Sequence, residues 1–230
     1  MKNVFQECFP GVKKEHSLEV QELRARLAKT IRELRRVSRE AKRDELTGLR
    51  KTRNFAYWCV KAIRKHREKR EQAETAGAEK QRKNNSYFIV SIDMDGLKSA
   101  NDTPAPHGGY DVGDRIIAML SNTVRVEIRR DDLFMRRHGD RADEFVLFFS
   151  GATLENVERS LVRIRDKFEA TAEKRFPELY NLIGISFSYG IREIFPEDGE
   201  DAIRAKLKDA DYFMKRRKRE RKADRRVSFL

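Results

Sequence analysis

The chain has 230 residues, 39% of them hydrophobic and 39% charged, with a formal net charge of +13. That length holds one domain plus an appendage, and that much charge implies solvated helices around a modest core; the positive excess reads either as a Lys/Arg-rich solvent face or as a site for an anionic partner, with nucleic acid among the candidates. No apolar run nears the roughly 18 residues that span a bilayer and no secretion signal opens the chain, so no membrane span and a cytoplasmic location are expected.

Residues 1–16 carry no period and contain Pro10 and Gly11, which reads as a flexible N-terminal arm. From Ser17 the pattern turns helical. Val20, Leu23, Leu27, Leu34 and Val37 fall on the a and d positions of a heptad, with Thr30 as one polar intruder. Residues 17–43 are therefore expected to form a helical coiled-coil stalk that pairs two copies. The other reading of the same stripe is an amphipathic helix packed on its own domain. Residues 44–230 form the main domain. It opens with Asp44-Glu45-Leu46-Thr47-Gly48-Leu49, where the glycine ends the helix. A helix over about 51–76 should turn Phe55, Trp58, Cys59 and Ile63 to the core and leave a polar second half in solvent. Neither Cys8 nor Cys59 has metal or redox spacing.

An apolar run over 87–92 then reads as a buried strand ending on Asp93. A long loop follows, then a helix over about 112–129. Apolar runs at 133–135 and 145–149, separated by a polar break with Gly139, read as a β-hairpin. A helix over about 154–176, a strand over about 183–191 and a helix from Glu200 complete the chain. Helices alternate with strands, yet the hairpin is antiparallel. The fold class expected is α+β, a ferredoxin-like or polymerase-palm-type sandwich behind an N-terminal coiled-coil helix.

The chemistry concentrates in Ser91-Ile92-Asp93-Met94-Asp95-Gly96-Leu97-Lys98-Ser99-Ala100-Asn101-Asp102. A buried strand that delivers acids to a polar turn is one way to hold a hard divalent cation, because Mg²⁺ takes one or two carboxylates and fills its shell with phosphate oxygens and water. The hairpin break brings Asp143 and Glu144, and the simplest pairing sets it beside the first strand, so that Asp93 and Asp143 share a metal.

These segments resemble the GGDEF-type diguanylate cyclases, which join two GTP molecules into cyclic di-GMP. The likeness runs through residues 44–49, the 93–102 segment, Gly113-Asp114, Arg136 through Phe145, Ser188-Tyr189-Gly190-Ile191, and Asp209-Ala210-Asp211 to Lys218. The resemblance implies Asp93 and Asp143 as metal ligands for Mg²⁺ or Mn²⁺, with Glu144 assisting as a third catalytic acid. It implies Asn101 and Asp114 as guanine readers, Lys98 and Lys218 as phosphate contacts, and Arg129 with Asp132 as a product-inhibition site for cyclic di-GMP. It further implies a homodimer, since each domain holds one GTP. Two loops depart from the family pattern. The signature turn His138-Gly139-Asp140-Arg141-Ala142 is about three residues longer, and the stretch after Asp102 is about four residues longer, at a closure cost below ~1 kcal/mol each. Two other readings stay open: a degenerate domain that only binds GTP or cyclic di-GMP, and a palm-type nucleotidyltransferase with another product.

Overall fold

The computed structural model describes residues 10–40, 42–75, 86–137 and 143–227. The chain divides into two compact units, Met1–Arg43 and Asp44–Leu230. The first contains one long helix, α1 (Pro10–Glu40). It begins at Pro10, so residues 10–16 of the expected flexible arm are helical, and 1–9 lie outside the described residues. Proline suits the first helical position, where its missing N–H costs nothing, and one glycine costs only about 1 kcal/mol. Val20, Leu23, Leu27, Leu34 and Val37 are all exposed along α1.

The second unit is an α+β sandwich, as expected. Its elements are β1 (Arg50–Lys51), a 3₁₀ turn (Thr52–Asn54), α2 (Phe55–Thr75), β2 (Tyr87–Asp95), α3 (Leu97–Asp102) and α4 (Tyr110–Glu127). After these come β3 (Leu133–Arg136), β4 (Glu144–Phe149), α5 (Leu154–Arg175), α6 (Pro177–Ile183), β5 (Ser186–Ile194) and α7 (Glu200–Val227). The sheet order is β1-β3-β4-β2-β5. β2 is central and antiparallel to both β4 and β5, and β3–β4 is the expected hairpin. Among the described residues no helix is long and apolar enough to cross a membrane.

Strand periodicity decides where the two cores lie. Phe88, Val90, Ile92 and Met94 of β2 point to one face, where they pack with Ile116, Leu120 and Val124 of α4 and Leu161, Ile164 and Phe168 of α5. Tyr87 and Ile89 point to the other face, against Phe55, Cys59 and Ile63 of α2 and Ile203 of α7. On this second face β2 changes character along its length, from Tyr87 and Ile89 to Ser91, Asp93 and Asp95. The polar end is roofed by α7. Burial pushes the Cys59 thiol far up, so it is a core group with no reactive thiolate.

The local differences from sequence expectation have identifiable causes. Arg50–Lys51 pairs in parallel with Met135 and Arg136, so the helix expected from 51 starts at Phe55. The loop expected after Asp93 contains Asp95 as strand and then the short helix α3. The strand expected from 183 starts at Ser186, because Pro177 opens α6 and Gly184, at φ +62°, ends it.

Candidate active site

β2 carries Asp93 and Asp95 to the same face, since residues two apart on a strand share a side. Asp93 is paired with Glu144 on β4 and Ser188 on β5, and Asp95 with Ser186. A row of polar side chains therefore crosses three strands at one end of the sheet. Helix α7 lies over them closely. A Cβ on Gly190 of β5 would sit 2.1 Å from the Ala210 carbonyl oxygen and 2.6 Å from Met214 N, so glycine is what allows this approach.

α7 supplies two cations one turn apart. The Lys218 ammonium donates to Asp93 Oδ1 and, at 2.9 Å, to the Met94 carbonyl, and stands 4.0 Å from Asp95 Oδ1. The Arg221 guanidinium donates to Asp95 Oδ2 at 3.3 Å, to the Phe187 carbonyl at 2.7 Å and to Ser186 Oγ at 3.0 Å, and lies 3.5 Å from Glu169 of α5. Ser188 Oγ donates to both Asp95 oxygens, at 3.1 and 2.9 Å. Burial lifts the Asp93 carboxyl above its ordinary range. Lys218 pulls it back down, and the negative charges of Asp143 and Asp95 lift it further.

The hairpin joins at its base. Met94 N donates to the Asp143 carbonyl at 3.3 Å and Arg137 N to the Glu144 carbonyl at 2.9 Å. Residues 138–142 of the lengthened turn lie outside the described residues. The side chain of Glu144 is buried and turned toward Arg137, whose Nε is 3.2 Å from Glu144 Oε2. Arg137 also reaches Asp211 of α7 at 2.5 Å, and Asp211 accepts from Ser91 Oγ. Glu144 thus enters a buried ion network that ties the hairpin to β2 and α7. Arg136 of the hairpin meets Asp44 Oδ1 at 2.8 Å. Burial opposes ionisation of Asp44, but bonds from Thr47 and Arg136 win and hold its carboxyl below the usual range.

A second corner is built by α3 and α4. Asn101 Oδ1 is buried with no protein hydrogen-bond partner, and a Cβ on Gly113 would fall 1.9 Å from it. Asp114 follows Gly113 and is exposed, as is Lys98. Arg129 and Asp132 lie in the turn before β3. Asp132 accepts from Arg129 N at 2.9 Å and Ser150 N at 3.0 Å, and burial nonetheless lifts its carboxyl above the ordinary range. Both residues line a cavity of about 200 Å³ with Arg159 and Arg163 of α5.

Sequence reasoning thus named Asp93, Asp143 and Lys218, which the fold draws into one cluster. It placed Asp95 in the acidic segment and Asp211 in the last-helix motif without giving either a site role, and it singled out neither Arg221 nor Arg137. Two of these had a signal. Arg221 is three residues after Lys218, on the same helix face, and Asp95 is two after Asp93, on the same strand face.

Among the described residues no three His, Cys, Asp or Glu side chains converge as a self-sufficient metal cage. What does converge is a carboxylate oxygen of Asp93 and the adjacent Met94 carbonyl, already holding a cation in the form of Lys218. These are hard oxygen donors of the kind Mg²⁺ and Mn²⁺ take when phosphate completes the shell. The donor set fits a divalent cation whose shell other oxygens complete.

Comparison with known proteins follows the same lines. The family model described as diguanylate cyclase, GGDEF domain, matches residues 41–224. Curated relatives include the probable diguanylate cyclase DgcC of Escherichia coli K12, 28% identical over 130 residues, covering 56% of this chain and 32% of that protein. Another is the probable diguanylate cyclase DgcJ of the same strain, 31% identical over 121 residues, covering 52% of this chain and 21% of that protein. The matched region spans a third or less of the length of these relatives. Among solved structures, the coiled coil and GGDEF domain of DgcB from Caulobacter crescentus, in complex with c-di-GMP, aligns with a TM-score of 0.65 at 22% identity. That alignment covers 89% of this chain and 94% of that one. The diguanylate cyclase SiaD of Pseudomonas aeruginosa aligns with a TM-score of 0.51 at 23% identity, covering 92% of this chain and 78% of that one.

Proposed function

This chain belongs to the diguanylate cyclase GGDEF family, and on that premise we propose that it condenses two GTP molecules into cyclic di-GMP and pyrophosphate, as a homodimer with Mg²⁺ or Mn²⁺. The observation that carries the reading is the cluster at the polar end of β2. Asp93 and the Met94 carbonyl offer hard oxygen donors beside Asp143, and α7 sets Lys218 and Arg221 over them. Carboxylates and cations interleaved at one spot suit a metal–triphosphate, whose charge needs both.

The divalent cation, held by Asp93, the Met94 carbonyl and Asp143, would neutralise phosphate charge and acidify the attacking 3′-hydroxyl. The remaining work falls to the chain. Lys218 and Arg221 grip the triphosphate and hold its α-phosphate for in-line attack. Asn101 presents a buried oxygen that accepts from the guanine edge, and Asp114 is set to accept from its N1 and N2. Exposed Lys98 meets the phosphates from solvent. Asp143, at the mouth of the hairpin, takes the proton of the 3′-hydroxyl. Glu144 holds that hairpin in register through Arg137 and Asp211. One domain holds one GTP, so two domains must face each other, and pairing through the α1 seam supplies the second. Arg129, with Asp132 fixing its loop, takes the product at the cavity beside α5 and slows the reaction.

The test is to incubate the purified protein with Mg²⁺ and each of the four ribonucleoside triphosphates in turn, and to identify products by mass. The cyclic dinucleotide is expected from GTP. GTP that is bound but recovered intact would make the chain a binding module, and a linear or adenine-containing product would make it another nucleotidyltransferase.

A further inference from the structure

On the reading of this centre as a GTP–metal site, we propose that Lys218 is its resident counter-ion: the ammonium occupies the divalent-cation position in nucleotide-free protein, and metal enters together with the triphosphate that draws the ammonium away. The placement carries this. Lys218 Nζ binds Asp93 Oδ1 and the Met94 carbonyl together, with Asp95 Oδ1 at 4.0 Å. These are the oxygens that suit a hard divalent cation, and one pocket of donors cannot hold an ammonium and a divalent ion at once. Two cations a few ångströms apart in a partly buried pocket repel strongly.

The side chain is also able to leave. Lys218 remains 33% exposed while Asp93 is 12% exposed, so the acid is fixed in the sheet and the lysine reaches it from the rim on a flexible stem. Arg221 is not an equivalent plug. Its guanidinium is engaged by Asp95, Ser186 and the Phe187 carbonyl instead. A triphosphate arriving with its metal offers Lys218 new anionic partners at the moment its old ones are claimed. Metal and nucleotide then bind with positive coupling, and linkage requires that each raise the affinity of the other by the same factor. Without nucleotide the protein keeps its acids neutralised and leaves free metal in solution.

The experiment measures Mn²⁺ binding by electron paramagnetic resonance on the full chain, without nucleotide and then with a GTP analogue bearing a methylene between the α- and β-phosphorus atoms. Lys218→Gln should bind Mn²⁺ about tenfold or more tightly than the unmodified protein without nucleotide, as removal of an adjacent like charge requires. The analogue should enhance Mn²⁺ binding less in this variant. Lys218→Met should behave the same way, which covers loss of fold in either variant. Lys208→Gln, an exposed change on the same helix, should alter nothing. Adding Asp93→Asn to Lys218→Gln should abolish the gain. Unchanged or weaker nucleotide-free Mn²⁺ binding in both Lys218 variants overturns the proposal, as does an equal gain from Lys208→Gln. A gain at Asp93 in a protein that does not convert GTP would uphold the exchange and refute the cyclase reading. Conversion of GTP without any gain would refute the exchange alone.

Discussion

Asn101 and Gly113 show how a single missing methyl group shapes the corner between α3 and α4. Asn101 Oδ1 is buried and without a protein partner, an arrangement that costs about 1–3 kcal/mol unless a ligand supplies the donor. Gly113 makes room for it, since a Cβ there would fall 1.9 Å from that oxygen. Gly113→Ala must push the Asn101 amide aside. We expect GTP affinity to fall about tenfold or more with secondary structure intact, roughly the loss of one hydrogen bond to a buried acceptor. Calorimetric titration with the methylene analogue of GTP checks this, and unchanged affinity would remove Asn101 from guanine recognition. Asn101 and Gly113 each stood in a segment that the family resemblance had marked. Their contact could not be read there, since it depends on how α3 meets α4 across a loop of irregular backbone.

At the scale of elements, the site is a consequence of strand alternation and of one helix docked without clearance. The alternation was legible. The run over 87–92 and the hairpin runs each announced a buried strand, and pairing them sets Asp93 opposite Glu144. The far end of β2 was legible only in part: Asp95 stood out as an acid two residues after Asp93, but as a turn acid, and it becomes a strand residue only when β5 pairs with it. Arg137 was likewise hidden. Nothing local marks it as the clasp between Glu144 and Asp211, which lie on different elements far apart in sequence. The charge run on α7 concealed which cations matter, and only the face of the helix selects Lys218 and Arg221. That selection depends on Gly190, where a Cβ would strike the α7 backbone. Backbone cannot yield as a side-chain tip does. Gly190→Ala should therefore cost about 1–3 kcal/mol, as overpacking does elsewhere, and shift both cations from the carboxylates. Urea unfolding followed by intrinsic fluorescence reads the first effect. A variant of undiminished stability that also binds GTP normally would contradict this docking.

For the whole molecule, the proposed chemistry needs two half-sites to meet. The stripe on α1 was visible in the sequence as a heptad, and its residues are exposed along the helix, with Leu27 at 61% and Leu34 at 64%. An exposed apolar seam on a charged helix is what a parallel partner would cover. Leu27→Asp with Leu34→Asp should separate the copies, as measured by light scattering. Dilute variant should then lose most activity per protomer, yet bind GTP, and regain rate on concentration, since pairing through a stalk supplies an effective concentration of about millimolar. A variant that stays dimeric, or that is monomeric with full activity when dilute, would return the helix to an intramolecular role. The central claim of the proposed chemistry is that two GTP molecules are joined at a centre organised by Asp93. The most direct measurement is the ratio of pyrophosphate to cyclic di-GMP formed from GTP with Mg²⁺, for the unmodified protein beside Asp93→Asn. The expected result is about two pyrophosphates per cyclic dinucleotide from the first, and neither product from a folded, GTP-binding Asp93→Asn, because in-line transfer without its metal ligand loses its charge neutralisation. Equal turnover by the two proteins, or pyrophosphate released without the cyclic dinucleotide, would contradict it.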